Sequence, residues 1–237
     1  MTFNEPDGTT SSGGSSISPD DAAKTYIESI VPLRKANGGR FLISHPATTG
    51  SQNGLDWLAK FNTSCYKIAP KTGCPLDFIT AHWYGGFDGL VSWIDQLDDF
   101  YNGNNTNTTD TTDTSLKIWI SELALPKEDA DNTVQMMNQT LPYLDALDSV
   151  EGYAWFGMFR SDDSNEWTGK NVALFKSDGG LTELGATYLN GAKGTADSAA
   201  FKEGQKGTAK DSGALGNPVV NWATIVAAGL VYFICLC

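Results

Sequence analysis

Two glutamates carry the strongest chemical suggestion in this 237-residue chain. Glu5 in TFNEP and Glu122 in IWISEL each follow an apolar or aromatic approach, the pattern expected of a carboxylate at the end of a buried strand. One carboxyl group held protonated and one ionised, about 5 to 5.5 Å apart, is how a retaining glycosidase combines general acid/base and nucleophile. Asn4 is suited to hydrogen-bond a sugar 2-hydroxyl, an interaction that strengthens in an oxocarbenium-like transition state. Trp83, Tyr84 and Trp155 would offer ring faces to pyranoses, with His82 heading the same HWY cluster. A glutamate is ordinarily a solvated surface charge, and a tryptophan near a strand end is more often core than platform. The weight therefore rests on NEP, HWY and WISE occurring in this order, each at a strand end.

Such residues act together only if the fold gathers strand ends on one face. In Ser18-Pro19-Asp20-Asp21, Ser18 can cap a helix, Pro19 suits its first turn and Asp21 closes the box. Ala22, Ala23, Tyr26, Ile27, Ile30 and Leu33 then recur at helical spacing, predicting a helix over 19–35. Residues 40–44 read as a short strand whose exit, His45-Pro46, is punctuated by proline. Further helices are expected over 54–61, 88–101, 132–148 and 181–189, with Pro142 kinking or splitting the third. Strands are expected over 77–84, 116–123 and 150–159, and a polar, exposed loop over 102–115. Alternation of this kind predicts an α/β fold with a parallel sheet covered by helices, either a barrel or a doubly wound sheet. No GxGxxG or GxxxxGK follows a strand, so neither common nucleotide-binding version is supported. In a barrel, Asn4-Glu5, His45, His82-Trp83-Tyr84, Glu122 and Trp155 would converge at the carboxyl ends of the strands, where active sites form.

Acidic residues outnumber basic ones 28 to 16, for a formal charge of −12 and a pI near 4.4. Such a chain repels a phosphate backbone, so nucleic acid is not an expected partner. With 41% hydrophobic residues and seven Trp, it is too rich in core formers to be disordered. Two of the four cysteines, Cys235 and Cys237, fall in the last three residues; Cys65 and Cys74 remain as a candidate disulfide, the alternative being two buried thiols. Asn-X-Ser/Thr sequons at Asn62, Asn104, Asn107 and Asn138 point to the secretory route, where such loops oxidise and such asparagines are glycosylated.

The uncharged run over 219–237 reads as a cleaved C-terminal lipid-anchor (GPI) signal. Attachment is expected at Ser212, with 207–209 a second acceptable triplet; a membrane span and a soluble helix are the alternatives. MTFNEPDGTT at the other end has none of the marks of a secretion signal, so the natural precursor is expected to begin upstream.

FNEPD (3–7), SPDDAA (18–23), HPA (45–47), LDFITAHWYG (76–85), WISELAL (119–125), GYAWF (152–156) and LTELGATYL (181–189) together resemble a known family over residues 2–190. It is the glycosyl hydrolase catalytic core named after the alkali-sensitive linkage protein, glycoside hydrolase family 128 of clan A. The resemblance implies a (β/α)8 TIM-type barrel and an endo-β-1,3-glucanase that works by retaining double displacement on cell-wall β-glucan, without metal or cofactor. By that resemblance Glu5 matches the acid/base at the end of strand four and Asn4 the asparagine before it. Glu122 matches the nucleophile at the end of strand seven, His82, Trp83 and Tyr84 the strand-six cluster lining the cleft, and Trp155 the strand-eight aromatic. Strands one to three are then expected to be missing from this chain, leaving less than the about 250 residues typical of the fold. A barrel lacking three staves would expose two unpaired edges and is expected to be poorly stable and weakly active or inactive alone.

The expected organisation is a catalytic core over 1–192, a Gly/Ala/Lys-rich linker over 193–211 and the anchor signal over 212–237. The protein is expected to be a monomeric, secreted, fungal-type glycoprotein, GPI-anchored at the plasma membrane or wall. The rival expectation is a β-glucan-binding or structural wall protein that keeps the aromatic cleft without turnover.

Overall fold

A computed structural model describes residues 1–36, 38, 41–103, 115–191 and 201–206. The sequons at Asn104 and Asn107, Ser212 and the apolar run over 219–237 lie outside the described residues. The fold is mixed α/β. Helices α1 (Pro19–Thr25), α2 (Val31–Ala36) and α3 (Gln52–Ile68) precede strand β1 (Ile79–Tyr84); α4 (Phe87–Tyr101), β2 (Ile118–Ala124), α5 (Ala130–Ala146), β3 (Val150–Trp155) and α6 (Glu183–Asn190) follow.

Local chemistry explains most of these boundaries. Ser18, Ser51, Asp129 and Thr182 each accept a backbone N–H from the first turn of α1, α3, α5 and α6, caps worth about 1 kcal/mol apiece. The helix expected over 19–35 is present but not uniform: a π-helical turn spans Tyr26–Ile30 between α1 and α2. There the Val31 N–H reaches back to the Tyr26 carbonyl, and Pro32, which lacks an N–H and crowds the carbonyl four residues before it, accounts for the widened turn. The helix expected over 54–61 runs seven residues further in α3, because its polar Asn62, Thr63 and Ser64 are followed by the buried Cys65. Pro142 is accommodated inside an unbroken α5 on the exposed face.

The three strands form one sheet in the order β1-β2-β3. Its backbone hydrogen bonds advance in the same direction on both partners, Ile79 to Lys117 and Gly85 to Ala124, then Ile118 to Ser149 and Phe156 to Leu123, so the pairing is parallel. Two isolated parallel bridges, Asn4 with Ala47 and Ser44 with Phe78, extend this pattern. The strand expected over 40–44 is reduced to the second bridge. Phe41 and Leu42 are exposed, the Ile43 N–H is taken by the Asp77 carboxylate rather than by a neighbouring strand, and Pro46 has no N–H to offer. β3 ends at Trp155, four residues before expectation, where Gly157 turns the chain with its carbonyl accepting from Phe159 N.

The chain falls into two compact units. The first comprises Met1–Trp83, Asp88–Ser121 and Asp148–Glu151; the second Tyr84–Phe87, Glu122–Leu147 and Gly152–Cys237. In the first, Trp57 stacks on Phe61 with centroids 5.4 Å apart, and Phe61, Tyr26 and His45 meet edge to face. Leu90, Trp93, Ile94 and Leu97 of α4 are buried in the same unit, as are Ile79, Ala81, Ile118 and Ile120. Cys65 and Cys74 are joined in a disulfide, with Cα atoms 5.3 Å apart, closing the end of α3 onto the segment that leads into β1. In the second unit, Met136, Met137, Leu141 and Leu144 of α5 are buried with Leu123, Trp155, Val172, Leu174 and Leu184.

Candidate functional site

Glu5 follows the Asn4 bridge at the end of an extended segment, and its backbone is unusual. Its φ is +37°, a left-handed conformation that a residue with a long side chain rarely adopts. The conformation is fixed from several sides. Glu5 N donates to the Ala47 carbonyl at 2.7 Å, the Glu5 carbonyl accepts from Gly8 N, and Ser15 N donates to the Asn4 carbonyl. A Cβ on Gly14 would come within 2.7 Å of the Glu5 carbonyl oxygen, so only glycine lets the loop fold back this closely. Asp7, two residues on, accepts from both the backbone N–H and the hydroxyl of Thr49.

The side chain of Glu5 meets His82 from β1, whose Nδ1 lies 3.1 Å from Oε1; the two side chains are 13% and 4% exposed. The contact fixes the orientation of the Glu5 carboxyl group against the imidazole. Asn4 is exposed, and its side-chain amide donates to the Gly13 carbonyl at 3.1 Å. Trp83, next along β1, lies with its ring between Gly50 and Gly89, at both of which a Cβ would overlap ring carbons. His45, also expected at a strand end, is a core residue: it is 4% exposed, its Nε2 is 2.8 Å from the Cys74 carbonyl and its Nδ1 3.2 Å from the Tyr101 hydroxyl. Burial pushes its pKa down to about 4, so the ring is neutral, donating from Nε2 and accepting at Nδ1.

In the second unit, Tyr84 ends β1 and Glu122 lies near the end of β2. The Tyr84 hydroxyl donates to Glu122 Oε2 at 2.6 Å, a short charge-assisted bond that fixes one carboxylate oxygen. The Tyr84 ring is itself held edge to face by Phe156 at 5.6 Å and by Trp167 at 4.6 Å. Trp155 is 5% exposed, and its indole N–H donates to the Val172 carbonyl at 2.9 Å. Sequence reasoning missed two residues. Asp7 could have been found from its place in FNEPD, and Trp167 from being the one large aromatic in the polar run SDDSNEWTGK.

The family described as "Glycosyl hydrolase catalytic core" matches residues 1–188. Alkali-sensitive linkage protein 1 of Schizosaccharomyces pombe is 33% identical over 195 residues, covering 79% of this chain and 32% of that protein. Among solved structures, a glycoside hydrolase family 128 endo-β-1,3-glucanase from Lentinula edodes is 28% identical with a TM-score of 0.59, covering 77% of this chain and 65% of the other. An oligosaccharide-binding protein of the same family from Trichoderma gamsii shares the fold at 21% identity and a TM-score of 0.59, covering 79% and 65%. The chain thus spans about a third of the curated relative and just under two thirds of these structures. With the family description matched over most of its length, the chain belongs to the glycosyl hydrolase catalytic core family, of the glycoside hydrolase family 128 type.

Proposed function

We propose that this chain carries the catalytic glutamates of a retaining β-1,3-glucanase, with Glu5 as acid/base and Glu122 as nucleophile. The observation that carries this assignment is that each glutamate follows strand-paired backbone and has its own hydrogen-bonding partner, His82 for Glu5 and Tyr84 for Glu122. Glu5 protonates the leaving glycosidic oxygen while a Glu122 oxygen attacks the anomeric carbon, giving a covalent glycosyl ester. Glu5, now ionised, takes a proton from water, whose oxygen displaces Glu122 and restores both carboxyl groups. The Tyr84 hydroxyl steadies Glu122 during attack and departure, and Asn4, His82, Trp83, Tyr84 and Trp155 line the sugar site. The surrounding architecture is of the (β/α)8 barrel type, of which this chain supplies a part; the parallel strand order and the parallel bridges at Asn4 and Ser44 support this.

A second reading has its own support: oligosaccharide binding without turnover, since the family 128 protein from Trichoderma gamsii that shares the fold is an oligosaccharide-binding protein. Laminarin hydrolysis by the 237-residue chain, compared with Glu122→Gln and Glu5→Gln, separates the two. Reducing ends released by the parent and by neither variant are the expected result. Equal release by all three would sink the catalytic assignment, and laminarin binding without release from the parent would favour the second reading.

The same proposal puts the protein outside the cell. It is a monomer, tethered by a lipid at Ser212 and glycosylated at Asn62, Asn104, Asn107 and Asn138. The Cys65–Cys74 disulfide and the exposure of Asn62 and Asn138 on α3 and α5 are consistent with an oxidising, glycosylating route.

A further inference from the structure

The loop after β3 presents an aromatic side chain in a way that core packing does not require. Trp167 is 51% exposed, in the middle of the polar run SDDSNEWTGK. An exposed indole on a loose loop would signify little, but this loop is fixed on every side. The Asn165 side-chain oxygen accepts from Trp167 N at 3.0 Å, from Thr168 N at 2.7 Å and from the Thr168 hydroxyl at 3.0 Å. Thr168 is fully buried, and its carbonyl accepts from Lys127 N at 2.9 Å; Asn171 donates to the Glu128 carbonyl at 2.7 Å. Both anchors belong to the turn that leaves β2, the strand that carries Glu122. The indole is also braced edge to face by Tyr84, whose hydroxyl holds Glu122 Oε2. A half-exposed ring is therefore held rigid, one side chain away from the proposed nucleophile.

We propose that the open face of Trp167 is a stacking platform for a glucosyl ring of a β-1,3-linked chain, flanking the sugar that reacts at Glu122. The platform deepens the glucanase assignment and rests on it. Pyranose rings present an apolar face of C–H groups, and a preordered indole takes such a face with little loss of side-chain entropy. Because Tyr84 touches both Trp167 and Glu122, a ring seated on the indole also presses on the element that orients the nucleophile.

The test is calorimetric binding of laminarihexaose to the full chain carrying Glu122→Gln, alone and combined with Trp167→Ala or Trp167→Phe. Cellohexaose and mannohexaose serve as comparison ligands, and near-ultraviolet circular dichroism checks folding. Trp167→Ala is expected to weaken laminarihexaose binding about tenfold, and Trp167→Phe to recover most of it. Unchanged affinity in Trp167→Ala with laminarihexaose still bound overturns the platform and leaves the glucanase assignment standing. Trp167-dependent binding of cellohexaose or mannohexaose alone upholds a sugar platform and overturns the β-1,3 assignment. Binding of none of the three by the Glu122→Gln chain overturns both.

Discussion

His82 Nδ1 sits 3.1 Å from Glu5 Oε1, and the glutamate that receives this contact is held at a φ of +37°. A strained residue with a dedicated buried partner is how a fold fixes one carboxyl orientation against thermal averaging. If Glu5 is the acid/base and Glu122 the nucleophile, truncating each should leave a hole of different stereochemical meaning. With azide and an activated aryl β-glucoside, Glu5→Ala is expected to yield the β-glycosyl azide, because the covalent intermediate still forms and azide replaces water. Glu122→Ala is expected to yield the α-glycosyl azide, azide occupying the vacated side of the sugar. Product analysis by NMR checks this; the reverse pairing would exchange the two roles.

The bond from Tyr84 to Glu122 has a direct kinetic correlate. Tyr84→Phe removes only the hydroxyl, keeping the ring against Phe156 and Trp167. A hydrogen bond to a charged group is worth about 1.5 to 3 kcal/mol, so kcat is expected to fall about ten- to a hundredfold. Stopped assays on laminarin measure it, and a kcat within twofold of the parent would remove Tyr84 from the machinery.

Asp7, two residues beyond Glu5, is placed to act on it through the backbone. Its carboxylate takes two hydrogen bonds from Thr49, whose hydroxyl is also 2.9 Å from that of Ser51, the cap of α3. The strained loop is thus moored to the start of a helix. Asp7→Ala and Thr49→Val are each expected to lower kcat about tenfold with KM nearly unchanged, and the double variant to be little worse than either. Additive losses would mean that the two residues do not work as one latch.

How far the chain could be read in advance depended on whether a signal was local. The periodicity of α4 and the cap at Ser18 are written in neighbouring residues, and both elements lie where those residues predict. The fate of 40–44 was settled by Asp77, a side chain 34 positions from Ile43 that takes the N–H a strand would have used. Trp155 shows the same limit. Nothing within GYAWF indicates that its indole is buried against the Val172 carbonyl, 17 residues away, while Trp167 in a polar loop stays half exposed. Glu5 and Glu122 stood out in the sequence because each carboxylate comes shortly after apolar or aromatic residues, in TFNEP and IWISEL, which is a local signal. Their partners were legible only as members of HWY, with no indication that His82 would face Glu5 and Tyr84 would face Glu122.

His45 makes stability depend on pH in a window that can be stated. In the unfolded chain its imidazole titrates near about 6.5, whereas in the native core burial pushes it down to about 4. Between these values the unfolded state binds a proton that the native state refuses, so stability is complete above about pH 6.5 and declines as the pH falls toward 4. The groups that face the ring do not titrate in this range, since burial drives the Tyr26 and Tyr101 hydroxyls upward. The loss attributable to His45 is about 3 kcal/mol. His45→Gln keeps a donor toward the Cys74 carbonyl and does not titrate. The variant should be less stable than the parent at pH 7, yet its unfolding free energy in urea should decline less between pH 7 and pH 4, by about that amount. Carboxylate titrations are common to both chains and cancel in the comparison. Parallel pH profiles for parent and variant would show that the ring takes up its proton without leaving the core.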